Sequence, residues 1–286
     1  FRFTPGAATA MSAGTYTVGT AGTYPSLTEA VAEVNHRGVS GAVQFNLQDA
    51  TYDETVGNGY NFFPVVIGPI SGTSGSNTVK FVSTGSTSTV TYAGTLNSGN
   101  ITTNASSSQI GTSNEPIIGL VGSDYVTLEK LTLTTSGANL DRGFLVQNLN
   151  TTDGATNNTI RDVSVTLNRT NTSSIAIQQI TSSTPASALG TNSTNKYLNL
   201  TVQNTYGGVD LNCSSTTNLD AACEVGNTTC SAYNTIGNPA TANDIGNGGS
   251  QAYGIRATNQ SSVKVYNNQV RNVTGSAIQT DGIVLS

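Results

Sequence analysis

Acid–base chemistry in this chain has few groups to draw on: 16 Asp and Glu, 11 Lys and Arg and a single histidine, His36, in 286 residues. Two carboxylates that cleave a glycosidic bond must stand roughly 5 to 9 Å apart. The candidates Asp124, Glu129, Asp141, Asp153, Asp162, Asp210, Asp244 and Asp281 are scattered, and many adjoin Gly or Asn, the setting of turn-forming aspartates. Asp210 differs. In Tyr206-Gly207-Gly208-Val209-Asp210-Leu211-Asn212 it sits between two apolar residues, so on a strand its carboxylate faces away from theirs. Arg256, in Gly254-Ile255-Arg256-Ala257, has the same setting. If the two strands stack in register, Asp210 and Arg256 share an outer face; a slip of one residue separates them. They are the catalytic candidates. Tyr206, Tyr253 and Tyr266 recur in the same half of the chain and are candidates for stacking on a sugar ring, since a tyrosine joins apolar area to a polar handle. Packing at core or bend positions is the alternative use of such rings.

Cys213, Cys223 and Cys230 lie within 18 residues, which allows one disulfide among them and leaves one thiol over. A zinc site would need a fourth ligand, and His36 is distant in sequence. There is no helix-hand calcium loop, nonapeptide calcium repeat or phosphate-cradling glycine loop. No cofactor or metal site is expected, although calcium held by scattered carboxylates stays open. The basic residues are dispersed and the net charge is −5, so no cationic stripe forms and nucleic acid is not an expected partner. No run of 18 apolar residues suggests a membrane span. Charged residues make up 9% against about a quarter in ordinary globular domains, and the Thr-, Ser- and Asn-rich surface points to a secreted or cell-surface protein. The start, Phe1-Arg2-Phe3-Thr4-Pro5, has no signal-peptide pattern, and Ala277 to Ser286 still reads as strand. A fragment of a longer protein is therefore expected, with self-association through an uncovered last coil open.

The elements that must position these residues are mostly short strands. One helix is expected: Ser26-Leu27-Thr28-Glu29 has capping-box spacing, Leu27, Ala30, Val31 and Val34 mark one face, and Gly38 ends it. Val43, Phe45 and Leu47 alternate with polar neighbours as in a half-buried strand. From residue 117 a loose repeat appears. Val126/Leu128 then Leu131/Leu133 recur as Ile160 then Val163/Val165, as Leu198 then Leu200/Val202, and in Ser262 to Val270. The offsets from Leu131 to Val163 to Leu200 are 32 and 37, within the range of solenoid units with variable loops. A second set is 143–146, 174–177, 208–211, 254–257 and 276–278. No such unit buries its own apolar residues, so successive units must stack. A β-sandwich is the rival architecture. Ice-binding solenoids display flat Thr-x-Thr ladders. Here the outward pairs read as Thr132/Thr134, Ser164/Thr166, Thr201/Gln203 and Lys264/Tyr266, a pattern that degrades within a few repeats.

Gly14-Thr15-Tyr16-Thr17-Val18-Gly19, Gly22 to Val31 and Gly38 to Asn46 together resemble the opening of large secreted or cell-surface Bacteroidetes proteins with pectate-lyase-like bodies. Thr51 to Val56 also resembles the first coil of pectin methylesterases, but this chain has no Trp and no counterpart of their catalytic strand. The resemblance implies an all-β fold, a right-handed parallel β-helix solenoid whose first strand and helix plug the N-terminal end. It implies one domain over 1–286, with cap and first coil at 14–47 and irregular coils at 117–286, and places Leu27, Val31 and Val34 against the first coil. It is almost silent on activity. The expected function is a non-catalytic rod for adhesion, spacing or assembly that contacts a polysaccharide or surface glycan. The alternative is a polysaccharide lyase or glycoside hydrolase using Asp210 with Arg256.

Overall fold

The computed structural model describes residues 8–54, 61–85, 87–92, 114–135, 137–227, 229, 232–248, 251–275 and 280–286. Among them the fold is mostly β, with one α-helix, and the strands form sheets of 13, 7 and 2. Every ladder between named strands is parallel, so the hairpins that a sandwich requires are not what joins the described strands.

The main path of the first sheet runs through Gly14–Val18, Val43–Leu47, Val79–Ser83, Val126–Glu129, Thr159–Thr166, Lys196–Gln203, Glu224–Gly226 and Lys264–Tyr266. Its registers align Phe45, Phe81, Leu128, Ile160, Tyr197, Val225 and Val265 in one file. A second file, Tyr52, Val90, Leu133, Val165, Val202, Ile236 and Val270, lies on the other side of a bend. The second sheet aligns Val65, Ile118, Phe144, Ile177, Val209 and Ile255. All but Val265 and Val270 are buried, and these two pack against the shared core. In the first sheet the period-two pattern thus puts one set of side chains inside and leaves much of the alternate set partly exposed; in the second sheet alternate positions such as Leu145, Gln178 and Asp210 are buried as well.

The bend between the first two files takes a left-handed residue in four of the described repeats. Lys130, Asp162, Asn199 and Asn267 take φ of 57°, 55°, 56° and 49°, and Asn is among the few residues that tolerate this. A third file carries small residues where the backbones close up. A Cβ on Gly208 would fall on the Gly254 carbonyl oxygen, and one on Gly143 would stand 2.5 Å from the Ala176 carbonyl oxygen.

The spacing Leu131, Val163, Leu200 is met in register. The last copy is corrected. Val265 follows Val225 and Tyr197 in the first file, and it is Ile236 and then Val270 that follow Val202. An intervening repeat with the three-residue strands Glu224–Gly226 and Asn234–Ile236 escaped notice because each strand offers a single apolar residue after its first position. In the second set, Thr280–Leu285 provides the final strand; positions 276–278 lie outside the described residues.

The helix spans Leu27–Arg37, with Ser26 Oγ accepting from the Glu29 amide at 3.1 Å and Gly38, at φ 66°, closing it. The amides of Leu27 and Thr28 donate to Asn61 Oδ1, so a residue from beyond the helix satisfies the start that the capping box was expected to serve through Glu29. Leu27, Ala30, Val31 and Val34 are buried in the main core. Val31→Asp places an unpaired carboxylate there; a loss of several kcal/mol is expected, measured as a lowered urea midpoint, and an unchanged midpoint would show that this face is not packed.

Candidate functional site

The second sheet also carries an outer file. One residue beyond the inward Ile177, Val209 and Ile255 stand Gln178, Asp210 and Arg256, in direct register. Arg256 grips Asp210 with both prongs, Nε to Oδ1 at 2.8 Å and Nη2 to Oδ2 at 2.7 Å. Gln178 Nε2 donates to the same Oδ2 at 2.9 Å. Arg142, from the neighbouring strand Arg142–Gln147, donates to Gln178 Oε1, to the Asp141 and Ser173 carbonyls, and to Asn114 Oδ1. The Tyr253 ring lies beneath the Arg256 guanidinium, 4.2 Å from centroid to Cζ, a cation–π contact.

The two catalytic candidates are therefore brought together, but as a bidentate ion pair. The Asp210 side chain has no solvent exposure and that of Arg256 keeps 25%. The hydrogen bond from Arg256 to Asp210 holds the guanidinium pKa well above its ordinary value, whereas burial lowers that of Arg142. Burial, then the charge of Asp210, raises the Tyr253 phenol. A carboxylate with both oxygens occupied and no route to water is a poor proton carrier. Tyr206 and Tyr253 are both 5% exposed, which removes them as stacking platforms; Tyr266 is partly exposed and its hydroxyl contacts Glu224.

Most of the other acids are tied down locally, whereas the Asp153 carboxyl is pushed up in pKa by burial and then by the charge of Asp124. Asp124 accepts from the Thr156 amide and hydroxyl, Asp162 from Asn199, Asp244 from the Asn238 amide, and Asp141 from Asn171. Glu129 bridges Lys80 at 2.7 Å and Arg161 at 3.0 Å. Burial pushes its pKa up, but the hydrogen bonds from the two cations outweigh this and leave it lowered. The Asp281 side chain lies outside the described residues. No group of three metal-ligating side chains occurs among the described residues.

A second polar cluster lies inside. Gln179, inward-facing beside Gln178, donates to Asp220 Oδ2 at 2.8 Å and accepts from the Tyr197 hydroxyl at 2.7 Å and Asn195 at 3.1 Å. The Asn192 amide donates to Asp220 Oδ1 at 2.8 Å. Cys223 sits against Gln179 with its pKa pushed by burial to about 11. Cys213 and Cys223 are buried free thiols, so the expected disulfide is not made at either; Cys230 lies outside the described residues. A buried thiol of raised pKa is a packing group more than a nucleophile.

Asp220 is buried with amide partners, and burial raises its pKa. A carboxyl whose folded pKa exceeds its unfolded one favours the fold most when protonated. Its contribution is full below the ordinary aspartate value and is lost as pH rises through the raised one. Asp220→Asn should flatten that part of the pH dependence. Urea midpoints of both proteins from pH 3 upward test this: the difference between them must change across the window, and a constant difference would refute the burial argument.

The signal for Gln178 was present, since it follows Ile177 as Asp210 follows Val209 and Arg256 follows Ile255. Arg142 reaches Gln178 from the first position of its strand, where it is in register with Ile175 and Pro116, so no matching polar residue pointed to it. With this geometry established, the chain matches no family model, no curated protein and no solved structure. Fold and site define a mostly β protein of parallel sheets with one helix, and no helix of the described residues is long and apolar enough to cross a membrane.

Proposed function

We propose that the chain is a right-handed parallel β-helix, plugged at its N-terminal end by the helix Leu27–Arg37, and that it serves outside the cell or on its surface as a non-catalytic rod for adhesion, spacing or assembly. The observation that carries this reading is the enclosure of Asp210: its carboxylate is shut from solvent and saturated by Arg256 and Gln178. Eight strands on one parallel path, about 4.8 Å apart, give a stack roughly 34 Å tall. Its N-terminal segment resembles the plugged opening of the Bacteroidetes surface proteins, which supports the same use.

The test pairs a glycan array with reducing-end and unsaturated-product assays on acidic and neutral polysaccharides. Binding to a glycan without product is the expected result. Turnover that disappears in Asp210→Asn would replace the rod with a lyase or hydrolase.

A further inference from the structure

The outer face of the second core file has a composition that the sequence pattern had concealed. Opposite Tyr52, Val90, Leu133, Val165, Val202, Ile236 and Val270, the registers align Thr51, Thr89, Thr132, Ser164, Thr201, Thr235 and Gln269 in an unbroken file. Two residues further along the same strands a parallel file holds Thr91, Thr134, Thr166 and Gln203. The Thr-x-Thr doublet thus begins two repeats earlier than Thr132/Thr134 on the first file and one earlier on both. The Lys264/Tyr266 pair that broke the pattern in sequence lies in different files, beside Glu224 and Gly226.

Three properties of these files bear on what they meet. Every member is partly exposed. Among the described residues, the hydroxyls of Thr51, Thr89, Thr132, Ser164, Thr201 and Thr235 have no protein hydrogen-bond partner, while Thr91 and Thr134 pair with each other along the second file at 2.9 Å. No member carries charge. The cations and anions of this sheet are gathered beyond the bend, in Lys80, Glu129, Arg161, Lys196, Glu224 and Lys264. A face that segregates charge away and presents hydroxyls beside methyls suits an uncharged partner that is itself a regular array of hydrogen-bonding groups. Strand spacing sets the hydroxyl repeat at about 4.8 Å. In tetrahedrally bonded water, with neighbouring oxygens about 2.8 Å apart, second neighbours lie about 4.5 Å apart. The two repeats agree to within a few tenths of an ångström per strand, a difference that grows to roughly 2 Å over the six steps from Thr51 to Gln269. Crystalline polysaccharide also repeats, but flat aromatic rings, the usual partners of sugar faces, are missing from both files.

We propose that this two-file threonine face binds ice, ordering a layer of water that merges with the crystal surface. The inference goes beyond the rod reading and stands on the strand registers alone. The experiment freezes the protein into a slowly growing ice hemisphere and measures the fraction incorporated, together with inhibition of ice recrystallisation. The unaltered chain and Thr15→Lys, which changes an exposed residue on a different file, should enter the ice and slow recrystallisation. Thr132→Lys and Thr201→Lys should lose both effects while keeping the circular dichroism spectrum and unfolding midpoint of the unaltered chain. If either lysine variant fails to fold, Thr166→Asn on the second file provides the same comparison. Exclusion of the unaltered chain from ice overturns the proposal, as does incorporation that survives these substitutions. Retention on crystalline cellulose or chitin, lost in Thr132→Lys, together with exclusion from ice, would assign the face to polysaccharide instead.

Discussion

Arg256→Leu is expected to lower the free energy of unfolding by about 3–5 kcal/mol, the range for removing one partner of a buried ion pair. The reason is the asymmetry of the pair. Asp210 has no exposed side-chain surface, so its charge is left with the neutral groups Gln178 and Tyr253 beside it. Asp210→Leu should cost less, because the Arg256 side chain is a quarter exposed and its guanidinium can turn to water. The double variant should cost less than the sum of the two, since an apolar pair leaves no orphaned charge. Denaturant unfolding of the four proteins measures all three quantities. A negligible cost for Arg256→Leu would mean that the pair contributes nothing to the fold, and would return Asp210 to the list of groups free for chemistry.

Phe81→Ala should be as damaging, at about 3–5 kcal/mol. Phe81 is 1% exposed and stacks on Phe45 with centroids 4.6 Å apart and planes 12° apart, in a file that continues through Leu128 to Val265. Truncation opens a hole beneath the next repeat, and parallel strands locked in register cannot slide to fill it. By contrast Gln44→Ala, on the outward side of the same sheet, should stay within about 0.5 kcal/mol. Equal costs for the two substitutions would contradict the inward–outward alternation on which the fold rests.

The parts of this molecule legible in the sequence are those governed by local pattern. Leu27, Val31 and Val34 mark a helical face within one turn of each other, and Ser26 and Gly38 delimit it by cap chemistry. Leu131, Val163 and Leu200 belong to eight-residue or paired strands whose apolar pairs stand out from a Thr- and Asn-rich background. Legibility fails where a strand shrinks to three residues. Val225 and Ile236 each lack an apolar partner two positions away on the same strand, and missing that repeat shifted every later residue by one storey. The same error hid Thr235 from the first threonine file, while Thr51, Thr89 and Thr91 lie before residue 117, where the repeat becomes visible in sequence. At the site, pairing Asp210 with Arg256 followed from their identical settings, whereas their enclosure did not. Exposure depends on what lies over the strand, including Asn114 and Ser173 against Arg142, and no strand carries that information in its own sequence. The disulfide expectation failed for a related reason: proximity along the chain does not pair the sulfurs, since Cys213 Sγ meets the Asn218 carbonyl and Cys223 Sγ meets Gln179 and the Asn192 carbonyl.

The seam of small residues at Gly143, Ala176, Gly208 and Gly254 has a consequence for how such a chain can change. A single methyl at Gly208 would collide with the carbonyl of the next layer and with Ile236, so that line is closed to drift. Apart from the Thr91–Thr134 hydroxyl pair, the side chains of the outward hydroxyl files make no hydrogen bond between layers among the described residues. Recognition and architecture are thereby written in separate columns of one text, and a lineage could revise the first many times over while copying the second unchanged.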